Sequence, residues 1–451
     1  MATVTIPRPR TKKVAAGHES AEILRSAIFH TPKNAFAHAD ALVALPDGAL
    51  AIRAGRIAAC GDYIAVRAQF PDAIVRDMRD GCILPGLVDT HVHFPQVRMV
   101  GGLGYSLLEW LSKLALPEEA RLADPDRARV VAREFVHGLV SHGTTSALVF
   151  GSHFADATGE LFEAAAHRGL RVMSGLVLSD RLLRPDLYQT PEAAYRDCKS
   201  LIDRFHRRGR LSYAVTPRFA MSASEAMLEV CQTLLREEPS LTFTTHMNES
   251  PAEIEEVARL FPWAGDYLGV YEKYDLIGRR SVLAHNVHTS DGELTRLASQ
   301  QASVAHCPCS NAALGSGIFP MQRHVDAQVR FALGTDIGGG TGFSIIKEAL
   351  QAYMMQRVAP AAMVLNPAQM LWMATRAGAE ALSLEAETGD FTPGKAADLV
   401  YFKPAAGSTL HTVLTHMEDP QGMLAALMTL AEQDSVGEVR VEGDVVYEGH
   451  A

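Results

Sequence analysis

The chain has 451 residues, 47% of them hydrophobic and 21% charged, a balance that suits an ordered globular protein and excludes the low-hydrophobicity composition of a disordered one. The formal net charge of -10 argues against nucleic acid and anionic membrane as partners, since neither attracts an acidic surface. Cores rarely grow past ~250 to 300 residues, so one large domain with a smaller companion is expected.

The chain opens with a basic run, Arg8-Pro9-Arg10-Thr11-Lys12-Lys13, which reads as a solvated tail rather than a nucleic-acid arm. No charged-then-apolar signal pattern precedes it. From 41 to 77 the sequence reads as short strands: Leu50 and Ile52 alternate ahead of the turn Ala54-Gly55-Arg56, Ile57 opens the next run and Gly61-Asp62 punctuates it. Segments 397–402 and 439–447 have the same β character, so the two chain ends are expected to pair in one small sheet domain.

Between them, strand-like runs alternate with helix-periodic stretches, the pattern of repeated βα units and a parallel sheet. The predicted strands are 86–93, 144–150, 171–178, 211–217, 241–246, 281–285, 302–306 and 329–336. A helix before the second is marked by Val130, Val131, Phe135, Val136, Leu139 and Val140, read as one apolar face. Eight such units in about 300 residues have the size of a TIM barrel. The expected fold is therefore α/β, a (β/α)8 barrel over 83–388, with 1–82 and 389–451 supplying the smaller sheet domain. No apolar run approaches the ~18 residues that span a bilayer, because charges or Gly/Pro break candidates such as 135–149. Six cysteines without regular spacing argue for a reducing compartment, so a cytoplasmic location is expected.

His91 and His93 stand two apart at the end of the first predicted barrel strand and so share a face. Catalytic groups of such barrels sit at strand C-terminal ends. Further candidates end later strands: His246, His285 and Asp336. A catalytic zinc site needs three or four N/O ligands and an open position for water, and His91, His93, His246 and Asp336 supply that set. Asp336 equally suits the cap of a following helix. Glu249, three residues past His246, is placed to shuttle protons, or to serve as an acid at the start of a helix near Ser250-Pro251. Segment 213–219 contains no lysine that could bridge two metals after modification, which favours one metal ion. His288, His306 and His324 read as core or surface histidines, and Cys307 with Cys309 lacks the second pair of a structural zinc site.

These residues resemble the amidohydrolase superfamily and, within it, the guanine deaminases. The likeness is carried by Pro85-Gly86-Leu87-Val88-Asp89-Thr90-His91-Val92-His93-Phe94-Pro95-Gln96, Leu107-Leu108-Glu109-Trp110-Leu111, Pro217-Arg218-Phe219, Thr245-His246-Met247-Asn248-Glu249, the stretch from Ser310 to Gly317, and that from Leu333 to Thr341. The resemblance implies a distorted TIM (β/α)8 barrel with a small β-sandwich domain built from both chain ends, and one Zn2+ per subunit on His91, His93, His246 and Asp336, with His285 beside the water or the substrate. It implies a small purine substrate read by Gln96 and Arg218 with Trp110 beside it, and a homodimer; Phe219 suits either packing against the base or filling the core. The implied reaction is hydrolytic deamination at C2 of guanine, with Asp336 taking a proton from the attacking water and Glu249 delivering one to ring N3 and then to the departing amine. The segment 107–111 is the expected lid, and the acidic Glu118-Glu119 follows it.

Overall fold

The computed structural model describes residues 21–361 and 363–449, and the basic run at Arg8 to Lys13 lies outside them. The chain first lays down β1 (Glu22–His30), β2 (Val43–Arg53), β3 (Arg56–Asp62) and β4 (Ile74–Pro85). It returns to the same sheet at its other end with β14 (Leu399–Phe402), β15 (Val436–Val441) and β16 (Asp444–Glu448). Between lie β5 (Leu87–His93), β6 (Thr144–Phe150), β7 (Arg171–Gly175), β8 (Val177–Leu178), β9 (Leu211–Pro217), β10 (Thr242–Met247), β11 (Ser281–His285), β12 (Ser303–His306) and β13 (Arg330–Leu333).

The terminal strands form one sheet in the order β16-β15-β14-β4-β1-β2-β3. β4 joins the two chain ends, running parallel to β1 and antiparallel to β14. The turn between β2 and β3 is Ala54-Gly55, with φ of 50° and 75°, the conformation a two-residue hairpin needs. At Gly55 a side chain is also barred by space, since a Cβ would lie 2.4 Å from the Glu442 carbonyl oxygen.

The second sheet is parallel, in the order β5-β6-β7-β9-β10-β11-β12-β13, with β8 paired to β9. It is the expected eight-stranded barrel, with helices around it. Two strands differ from expectation. The run at 171–178 splits into β7 and β8 at Leu176, and the run at 329–336 leaves the ladder after Leu333 because its last residues close the barrel instead. There Thr90 Oγ1 donates to the Leu333 carbonyl at 2.8 Å, Asp336 N donates to the His91 carbonyl at 2.8 Å, and the Asp89 carboxylate accepts from Thr335 N at 3.1 Å and Thr335 Oγ1 at 2.5 Å. The seam between first and last strand is thus held by side chains directly beneath His91 and Asp336.

The helix Pro125–Ser141 starts at Asp124, whose side chain accepts the Asp126 N–H. It buries Ala128, Val131, Ala132, Phe135, Val136, Leu139 and Val140 as one stripe. Val130, expected on that face, is 47% exposed, because at 3.6 residues per turn it shares a side with Arg133 and Glu134. Inside the barrel, Val88, Leu148, Met173, Ala214, Val282, Ala284, Ala305 and Cys307 form a compact plug that leaves the C-terminal mouth to polar groups.

Candidate active site

His91, His93, His246 and Asp336 are all buried, and one ligand atom from each lies within 4.8 Å of the others. Asp336 Oδ1 is 3.3 Å from His91 Nε2 and 3.2 Å from His93 Nε2. His93 Nε2 and His246 Nε2 stand 3.1 Å apart. His246 donates Nδ1–H to the Arg218 carbonyl at 2.5 Å, so its Nε2 carries a lone pair toward the cluster. His91 Nε2 has no hydrogen-bond partner among the described residues. Burial pushes His93 down to about 4 and His246 well below its ordinary value, which leaves neutral imidazoles. Burial alone would raise Asp336, but the close approach of His91 and His93 holds it well below the usual carboxylate range. Converging lone pairs and a carboxylate in a dry site repel one another unless a cation sits among them. The donor set of three nitrogens and one oxygen fits a zinc-type metal ion.

The backbone at these strand ends is unusual. Asp336 has φ of 46°, His285 72° and Asn248 53°, values that side-chain-bearing residues rarely adopt and that concentrate at functional sites. The helix following Asp336, Ile345–Val358, is capped by Ser344, so Asp336 is free of the capping role. Glu249 is likewise relieved of a helix-terminal role: the helix Pro251–Leu260 has Ser250 as its cap and Glu253 reaching back in a capping box. The Glu249 carboxyl turns instead to the cluster, accepting from Ser316 Oγ at 3.0 Å and standing 3.4 Å from His285 Nε2. Burial, reinforced by the charge of Asp336, pushes it up to about 8. His285 donates Nδ1–H to Asn311 Oδ1 at 2.9 Å, leaving Nε2 to face Glu249 and, at 3.9 Å, Asp336 Oδ2.

A second polar group lies beside the first. Arg218, at the end of β9, is 2% exposed and gives Nη1 to both oxygens of Glu119 at 2.8 and 2.7 Å. Gln96, just past β5, donates Nε2 to Glu119 Oε1 at 2.8 Å, and His153 Nε2 is 3.2 Å from Glu119 Oε2. Burial alone would raise Glu119, but the Arg218 charge and His153 overcome it and keep the acid ionised. Phe219 places its ring 5.7 Å from that of His246, edge to face. Trp110 is buried at the end of the short helix Leu107–Trp110, and its indole N–H has no hydrogen-bond partner among the described residues.

Glu119, His153, Asn311 and Ser316 were not assigned roles from sequence. Asn311 and Ser316 lie in the stretch Ser310 to Gly317, which stood out as a motif. Glu119 reads only as one of an acidic pair, and nothing in the sequence separates it from Glu118, which is nearly as buried but pairs with Arg121 and Arg127 instead of with the site.

A parallel eight-stranded barrel with three histidines and an aspartate at its C-terminal mouth defines a metal-dependent hydrolase of the barrel type. The chain belongs to the Amidohydrolase family, whose model matches residues 82–446. It is 57% identical over 432 residues to the probable guanine deaminase of Deinococcus radiodurans, covering 94% of this chain and 98% of that one. It is 39% identical over 411 residues to the guanine deaminase of Escherichia coli, covering 91% and 93% respectively. The solved structure of the E. coli guanine deaminase superposes with a TM-score of 0.91 at 36% identity, covering 96% of this chain and 100% of that one.

Proposed function

We propose that this chain is a guanine deaminase, converting guanine and water to xanthine and ammonia. One observation carries the reading: in a chain similar to guanine deaminases over nearly its whole length, the Glu249 carboxyl, buried 3.4 Å from His285 Nε2, faces the histidine–aspartate cluster, and its burial favours the protonated form. The metal is zinc, one per chain, held by His91, His93, His246 and Asp336; the absence of lysine from β9 and its exit, Tyr213-Ala214-Val215-Thr216-Pro217-Arg218-Phe219, supports a single ion. Zinc at that position supplies Lewis-acid activation of water for attack at C2.

The chain's own groups handle the protons. Asp336, held ionised, takes a proton from the attacking water. Glu249, held protonated, gives its proton to ring N3, takes up the second proton of the attacking water as C2–O becomes a carbonyl, and delivers it to the leaving amine; the proton held by Asp336 then restores Glu249. His285 Nε2, oriented by Asn311, stands between those carboxylates and steers the attacking oxygen. Gln96 and Arg218 hold the base through its polar edge, Phe219 packs on the ring, and Trp110 completes the wall.

We place the enzyme in the cytoplasm, in purine catabolism, as a homodimer. The family resemblance supports the dimer. The location is supported by six free cysteines, and no helix among the described residues is long and apolar enough to cross a membrane. Ammonia release measured in parallel on guanine, 8-oxoguanine, a pterin and adenosine tests the substrate assignment. Guanine is expected to give the highest kcat/KM, and a clear preference for another ring contradicts it.

A further inference from the structure

Glu119 is 1% exposed and receives contacts from three separate segments: the exit of β5 through Gln96, the exit of β9 through Arg218, and the exit of β6 through His153. An ionised carboxylate can only accept hydrogen bonds. The Gln96 amide therefore has one orientation open to it, with Nε2 toward Glu119 and Oε1 turned away. That Oε1 is buried without a hydrogen-bond partner among the described residues, and so is Arg218 Nε. Buried polar atoms in this state are costly until something pairs with them.

One acceptor and one donor, both tethered to the same carboxylate, suit a ring edge that carries a carbonyl next to an N–H. In guanine that edge is O6 and N1–H: the guanidinium donates to the carbonyl and Gln96 Oε1 accepts from the ring. An amidine edge, as in adenine, presents a lone pair to Oε1 and an amino group to the guanidinium, so both contacts become repulsive. We infer that Glu119 is a positioning residue that determines specificity: by fixing the Gln96 amide and the Arg218 guanidinium it makes the site select a lactam edge over an amidine edge. The inference rests on the guanine deaminase reading.

The test uses the full-length, metal-loaded enzyme with guanine as substrate, and hypoxanthine (lactam edge, no 2-amino group) and adenine (amidine edge) as competitive inhibitors. In the parent, hypoxanthine is expected to bind at least about tenfold more tightly than adenine. Glu119→Gln can no longer enforce the amide orientation; its KM for guanine is expected to rise about tenfold or more, its kcat to change less than about threefold, and its two inhibition constants to converge within about threefold. Metal content should be unchanged. Glu119→Asp keeps the counter-charge of Arg218 while withdrawing the carboxylate by one methylene; it is expected to shift in the same direction and serves if the first variant does not fold. A soluble variant that keeps the parent's preference for hypoxanthine, whatever its stability, overturns the role of Glu119. A parent enzyme that turns over no guanine overturns the functional reading itself, before any variant is measured.

Discussion

Glu249 and Glu119 are buried carboxyl groups in one site, and their neighbours drive them apart. Glu249 meets burial, the negative Asp336 and one serine hydroxyl, and is pushed up to about 8. Glu119 meets Arg218 and His153 and stays ionised. Separated acid values of this kind divide labour, one group carrying the proton and the other the charge. Replacing Glu249 by Gln keeps the shape and removes the exchangeable proton, so bound metal should persist while kcat falls roughly 10²- to 10⁴-fold. Metal analysis beside steady-state ammonia release checks this, and near-normal turnover contradicts the assignment. Arg218→Met strands Glu119 as a buried charge without its main partner, a change that typically costs ~3–5 kcal/mol. The variant should lose stability as well as guanine binding. Denaturant unfolding reads the first effect, and an unchanged midpoint would show that Glu119 finds compensation elsewhere.

At the level of elements, the loop after β13 is constrained by its contact with Gln96. Gly338 has φ of 108°, and a Cβ there would lie 2.3 Å from Gln96 Oε1. Gly338→Ala should therefore displace the amide and raise KM for guanine by about tenfold, with kcat less affected; a variant with parental KM shows that the loop relaxes without moving Gln96. The helix Ile345–Val358 carries another buried acid, Glu348, which accepts the Cys309 N–H at 2.9 Å and which burial pushes up to about 8. Its folded value exceeds the ~4.3 of an unfolded glutamate. The stability this group contributes is thus fully present below about pH 4 and is lost as pH rises through about 8. Glu348→Gln abolishes that dependence, so its Tm relative to the parent should improve from pH ~5 to pH ~8. Thermal melts at the two pH values decide it, and a constant difference contradicts the sign.

The barrel strands were legible because parallel strands buried on both faces read as short apolar runs between polar loops. Their ends were less so. Gly334, Thr335 and Asp336 read as strand, yet they leave the ladder to meet Asp89 and His91, a contact between residues almost 250 positions apart in sequence that no local pattern announces. The metal ligands were legible because histidine and aspartate recur at successive strand ends. Glu119 was not, because its function comes from which partners a short helix turns it toward, and Glu118 beside it is chemically identical.

Across the whole molecule, the terminal sheet and the barrel are joined by charge. Arg171, which opens β7, gives Nε to Asp398 and Nη2 to Glu442, each at 2.8 Å, and Arg210 gives Nη2 to Glu442 at 2.8 Å. These bonds tie the chain's last strands to the barrel far from β5 in sequence, so the C-terminal segment helps to hold the catalytic barrel. The four proposed ligands likewise come from three widely separated strand exits, and a metal ion among them would crosslink β5 to β10 and to the loop past β13. Ligands that bind only the folded state add stability by mass action, so stripping the metal with a chelator should lower Tm and zinc should restore it. The most direct measurement of the account is a titration of the chelator-stripped enzyme with Zn2+, following guanine consumption and identifying the product. The account predicts xanthine and ammonia in equal amounts, with activity rising linearly and levelling at about one zinc per chain; a metal-loaded enzyme that forms no xanthine, or that needs two ions per chain, would contradict it.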